Sequence, residues 1–120
     1  MTGTVTVAEK NYGTAKKIVW TWTATAGGAA SLVTTGAFDG EILGLTTIPD
    51  SGTAPTDNYD ITITDVDTHD VLLGAGANRD TANTEHVTRG SLAAVAGSAL
   101  TLNVTNAGNG GKGVTILYIR

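Results

Sequence analysis

An all-β fold in a single domain, a β-sandwich, jelly roll or closed barrel of about eight strands with little helix, follows from three features of the sequence. Apolar residues alternate with polar ones at a period of two along most of the chain, which places them on one face of a strand. Glycine makes up 16 of the 120 residues and charged residues only 15%, a balance that favours short strands and tight turns over helices. Clusters of Gly, Asn, Asp and Thr separate the alternating runs at the spacing of hairpins. The length fits one domain with a real core.

The elements justify this in turn. "TVTVA" (4–8) is a short first strand. "KKIVWTWTATA" (16–26) has the clearest alternation, with Ile18, Trp20 and Trp22 on one face and Val19, Thr21 and Thr23 on the other. "SLVTT" (31–35) follows the Gly27-Gly28 turn, and "GEILGLTTI" (40–48) stops at Pro49, which cannot donate to a ladder. "NYDITIT" (58–64) sets Tyr59, Ile61 and Ile63 against Asp60, Thr62 and Thr64, and "DVLLG" (70–74) is expected to return beside it as a hairpin. "SALTLNVT" (98–105) and "GVTILYIR" (113–120) complete the set. Residues 75–97 break the pattern and are compatible with a helical turn near Asp80 to Glu85 or a strand near His86 to Arg89.

Several function classes drop out on composition. The formal charge is -4, so no basic field draws nucleic acid. Cysteine is absent, which removes disulfides, thiolate metal sites and a cysteine nucleophile. The start "MTGTVTVAEKNYGTAKK" lacks an apolar signal core and no run reaches membrane-spanning length, so the expectation is a chain soluble as made, without a readable address and not associated with a membrane.

The densest candidate for chemistry is "DNYDITITDVDTHD" (57–70). Asp65, Asp67 and His69, with Asp70 beside them, alternate as oxygens do in a calcium loop. The detail disagrees: counting from Asp65, the sixth position is Asp70 rather than Gly and the twelfth is Gly76 rather than an acid. A polar turn, with carboxylates bonding nearby amides, is the preferred reading, and no metal or other cofactor is expected. His69 and His86 stand outside any metal spacing, although His86 adjoins Glu85. "GNGGKG" (108–113) satisfies a dinucleotide-type glycine pattern, but a strand follows it instead of a helix, so it reads as a hairpin loop. Ser91 in "RGSLA" lacks the second glycine of a nucleophile elbow, and the sequon Asn103-Val104-Thr105 lies within a strand. No enzymatic machinery is expected.

What remains is a binding protein. Residues 1–15 could extend over a neighbouring subunit and add a strand to it, beside a single β domain at 16–120, and the final strand presents an edge that needs cover. The candidate contact residues are Val5, Val7, Tyr12, Trp20 and Trp22. The two tryptophans read as bulk for the core or a subunit interface, or alternatively as an exposed sugar-stacking stripe.

The stretch from Phe38 to about Val87 resembles small virion proteins encoded among the head and tail genes of tailed bacteriophages. The features carrying the resemblance are a strand ending near Pro49, "YDITITD" leading into an Asp-rich turn, and "DVLLG" before "GAN", with a compatible "LTLNVTNAG" and "GVTILYI" ending. The resemblance implies a capsid decoration (cement) protein on the outer capsid surface of the virion. Its partners would be the major capsid protein and itself, as a homodimer or homotrimer. A carbohydrate- or receptor-binding module of a phage tail, or another accessory head-tail structural protein, is the alternative.

Overall fold

The alternating run at the amino end folds back on itself. Thr4–Tyr12 (β1) and Ala15–Thr23 (β2) form an antiparallel hairpin around a two-residue turn, with Val5 opposite Trp22, Val7 opposite Trp20 and Glu9 opposite Ile18. The structure is a computed structural model that describes residues 3–120, the side chain of Ala96 excepted. Further strands follow at Ala30–Val33 (β3), Phe38–Pro49 (β4), Asp60–Thr64 (β5), Glu85–Thr88 (β6), Ala94–Ser98 (β7), Thr101–Thr105 (β8) and Lys112–Ile119 (β9). A single 3-10 turn spans Arg89–Ser91.

Two sheets result. The larger runs β1-β2-β9-β4-β6, with β7 also pairing β4 across a bulge, and the smaller runs β3-β8-β5. All pairings are antiparallel. The expected all-β sandwich class therefore holds, with one core between the layers. Ile18, Trp20 and Trp22 of β2 and Leu117 and Ile119 of β9 pack from one side, and Ile61, Ile63, Leu102 and Val104 from the other.

Trp22 fixes the middle of this core. Its ring fills the space where a side chain on Gly113, its cross-strand partner, would begin, and it stands 5.5 Å from the Tyr59 ring at a tilt of 55°. Only glycine on β9 allows that approach. The Trp22 Nε1 donates to Thr115 Oγ1 at 3.2 Å. By contrast, among the described residues the Trp20 Nε1 and the Thr47 and Tyr59 hydroxyls are buried without a well-formed hydrogen bond, although Thr47 lies near enough to act on the Tyr59 phenol. Burial raises the Tyr59 phenol above its ordinary pKa, against smaller opposing effects of Thr47 and Arg79.

Several elements differ from the sequence reading. Residues 70–74 form no strand: after a single bridge at Asp70 the chain makes successive turns through residue 76. Val71 and Leu72 are both buried although adjacent, and a pleated strand would send them to opposite faces. Of the two alternatives for residues 75–97, the strand near His86 to Arg89 is formed, as β6 at Glu85–Thr88, and the helical turn is not, since residues 80–84 are bends and coil. β7 lies in a stretch of small residues that shows no alternation, and it splits the expected strand at 98–105.

Residues 3–15 are likewise not a free arm. Met1 and Thr2 fall outside the described residues; β1 is built into the chain's own sheet, where Val5 and Val7 pack against the core. Removing the segment would therefore unseal the fold as well as any contact.

Two substitutions separate packing from polar burial. Trp20→Ala is expected to cost about 3–5 kcal/mol through the cavity it leaves. Tyr59→Phe, which deletes a buried hydroxyl without a well-formed hydrogen bond, is expected to change stability by less than about 0.5 kcal/mol or to raise it. Denaturant unfolding monitored by tryptophan fluorescence measures both.

Candidate functional site

The aspartate-rich run is the first place to look for chemistry, and four of its five carboxylates, those of Asp57, Asp60, Asp65 and Asp70, accept backbone N–H groups. Asp65 Oδ1 accepts from the Asp67 and His69 N–H groups at 3.0 Å each, closing the turn after β5. Asp70 accepts from three amides, Ile63 and Leu72 at Oδ1 and Gly74 at Oδ2. Asp60 holds the Asn78 N–H and the Asn106 side chain. Asp67 and His69 point into solvent. Among the described residues, no three His, Cys, Asp or Glu side chains converge as metal ligands do.

The same use of carboxylates recurs throughout the molecule. Of the eleven acidic residues in the chain, all but Glu41 and Asp67 accept a backbone N–H. Glu9 is the most consequential. From β1 it reaches to the segment after β3, accepting from the Thr35 N–H and hydroxyl at Oε2 and from the Gly36 N–H at Oε1. Burial works against ionisation of Glu9, but the Thr35 and Gly36 hydrogen bonds outweigh it and hold the carboxyl below its usual range. The Asp80 carboxyl is lowered by the Ala82 N–H and the Asn83 side chain.

The other motifs resolve in the same direction. "GNGGKG" joins β8 of the small sheet to β9 of the large one, so it is a crossover rather than the expected hairpin loop. Its glycines let the loop press against residues 53–56 and the turn at 25–28, with the Thr56 N–H donating to Ala107 and the Gly110 N–H to Thr25. His86 does not meet Glu85, because adjacent strand residues face opposite ways. His86 Nδ1 lies 2.9 Å from the Thr46 hydroxyl, whereas Glu85 binds the Asp80 N–H and sits 3.6 Å from Arg79. Ser91 is exposed in the 3-10 turn, with neither histidine bonded to it. Asn103 is tied into the small sheet by Ser31 and Thr64.

The expected contact residues divide. Trp20 and Trp22 are 0% and 1% exposed, which corrects both the sugar-stacking stripe and their place in a subunit interface: the core between the sheets holds their rings. Val5 and Val7 are partly buried against that core, and Tyr12 is 65% exposed at the end of β1.

A feature not singled out from the sequence is the outer face of the large sheet. Val19, Ile116 and Thr46 form one row across β2, β9 and β4, and Thr21, Val114 and Ile48 the next. Val19, Val114, Ile116 and Ile48 are only half-buried, with no layer over them. At one end of this face a depression of about 400 Å³ is lined by Thr21, Thr23, Ile48, Pro49, Lys112 and Val114. The outer face of the small sheet is mostly polar, carrying Ser31, Thr62, Thr64, Thr101 and Asn103, with Val33 exposed at its β3 edge. The signal was present in "KKIVWTWT" and "GVTILYI", where apolar residues occupy both alternating sets.

No family model matches the chain, and no curated protein is detectably similar to it. Among solved structures, it is similar to one described as the crystal structure of FlhE, at 8% identity and a TM-score of 0.36 over 87% of this chain and 97% of that one. A likeness of that size carries no statement about function.

The carboxylate staples predict a graded response. Asp70→Ala, which frees three amides, is expected to cost about 2 kcal/mol, and Asp67→Ala less than about 0.5 kcal/mol, both measured by urea unfolding. The pH dependence has a definite sign. Carboxyls held below their ordinary values of 4.5 for Glu9 and 3.8 for Asp80 contribute stability above those values, and it is lost as pH falls through the folded-state pKa. The melting temperature should therefore drop between about pH 6 and about pH 3, and Glu9→Gln should flatten that slope by removing the Glu9 share.

Proposed function

We propose that this chain is a non-enzymatic structural protein of a tailed-phage virion, a capsid decoration (cement) protein. It is made in the host cytoplasm and attaches to the outer surface of the head. The strand and turn pattern between Phe38 and Val87 carries the reading. Two structural observations support it: acidic side chains consumed in holding loops, and a large sheet whose outer face is half apolar and uncovered. Such a face suits adhesion to a protein surface.

The physical mechanism is mass action. A protein that binds only the assembled lattice lowers the free energy of that state and of no other, so bound copies stabilise the head against opening. Several copies acting together make individually weak contacts sufficient. The carbohydrate-binding alternative loses the feature that favoured it, since both tryptophan rings are inside the core.

Co-sedimentation with expanded, empty tailed-phage heads tests the proposal. Wild-type protein should pellet with heads and raise their thermal disruption temperature. Val19→Thr combined with Ile116→Thr, which keeps β-branched shape but removes apolar area, should weaken attachment by at least about tenfold while the fold survives. Absence of head binding together with a specific glycan-array signal would overturn the proposal in favour of a receptor-binding module.

A further inference from the structure

In an acidic chain, the lysines sit where nothing neutralises them. Lys10 of β1 and Lys17 of β2 are direct cross-strand partners, and Tyr118 of β9 follows in the same row. Like charges opposite each other weaken a sheet. Among the described residues the ion pairs are Arg79 with Glu85 and Arg89 with Glu41, and no lysine takes part in one. Lys17 Nζ instead stands 5.9 Å from the centre of the Tyr118 ring, and Lys16 Nζ donates to the Asp39 carbonyl. Tyr12, 65% exposed, projects from the same end of the hairpin.

The complementary surface belongs to the same molecule. The turn after β5 carries Asp65, Asp67 and Asp70, with Val66 67% exposed between the first two. It lies at the same end of the sandwich as the lysines: the Val66 N–H donates to Ser98 Oγ, and Asp39, beside Lys16, holds the neighbouring Gly97 N–H. The two patches occupy opposite flanks of that end. β1 lies at the edge that meets β3, whereas the turn belongs to β5, whose outer edge runs against the segment leading to β7 through Ala93 and Val71.

We propose that copies of this chain associate side by side through these surfaces, the Lys10, Lys17 and Tyr12 patch of one copy receiving the Asp65 to Asp70 turn of the next. The contact is heterologous, pairing unlike patches. With the two patches at the same level on opposite flanks, neighbouring copies stand side by side, related by whatever rotation about an axis along the strands the angle between the patches sets. That operation closes a ring rather than extending a fibre when the angle divides a full turn. Each patch offers an exposed apolar group, Tyr12 or Val66, beside its charges, so docking buries apolar surface while it cancels the Lys10–Lys17 repulsion. This deepens the self-association included in the virion reading by naming its surfaces.

Sedimentation velocity of the full chain tests it. Wild type should associate at about 20 mM NaCl, with an association constant at least about tenfold lower at about 500 mM. Lys10→Glu/Lys17→Glu should sediment as a monomer at low salt, and so should Asp67→Lys, chosen because the Asp67 side chain holds no backbone group; near-UV circular dichroism of the buried tryptophans confirms that both are folded. An equimolar mixture of the two variants should regain association, since one retains an intact acidic turn and the other an intact lysine patch. A monomeric wild type at low salt, charge reversals without effect, or a mixture that stays monomeric would each overturn the inference. Head binding is read separately: wild type that binds heads as a monomer sinks this inference and leaves the virion reading standing, and the reverse outcome does the opposite.

Discussion

Backbone amides outside the β-ladders need acceptors, and in this protein carboxylates supply them. More than a third of the chain lies outside regular strands, and every buried or half-buried N–H there must find a partner or cost free energy. Asp70 satisfies three of them and Asp65 two, so the irregular stretch from residue 65 to 76 is held nearly as firmly as a ladder. Much of the acidic composition thus supplies acceptors to loop amides. Asp67 is the exception in this turn: it is exposed, and among the described residues its carboxylate holds no backbone amide.

The same economy explains where the sequence was legible. β2, β5, β8 and β9 could be read because each has one buried face, and burial on one face imprints a period of two. β7 could not, because its sequence AVAGS is mostly small residues and its pairing with β4 is interrupted by an irregularity where Gly97 takes a φ of +56°. The misreading at 70–74 came from treating Val71 and Leu72 as strand residues, when the turn anchored by Asp70 delivers both into the core. The turn character of Asp65 to Asp70 was readable because its chemistry is local; the Glu9 bridge was not, since its partners lie 26 and 27 residues away.

The surfaces had a different visibility. An uncovered sheet face leaves a weak imprint, because Val19, Val114 and Ile116 occupy positions that a solvated strand gives to Thr or Lys, and β-branched residues suit a strand whether or not they are covered. The lysine pairing depends on register: Lys10 and Lys17 are seven apart in sequence, and only the position of the turn at residues 13 and 14 brings them face to face. Meanwhile, among the described residues, the core tolerates polar groups without well-formed hydrogen bonds at Trp20, Thr47 and Tyr59. Shape rather than hydrogen bonding fills its centre, with Trp22 over Gly113 as its clearest case.

β1 and β3 run alongside each other, with Gly3 near Ala29 and Glu9 at Thr35, yet among the described residues no backbone hydrogen bond joins them. On that flank the barrel-like curl is left unwelded. Opening of β1 from its amino end would break the β1–β2 pairs in turn, release Val5 and Val7 from the core, and then reach the Glu9 carboxylate. Across the gap between β1 and the segment after β3, the Glu9 carboxylate is thus a clasp that works while ionised, and its protonation would loosen that flank while the β1–β2 ladder and the packing of Val5 and Val7 remain.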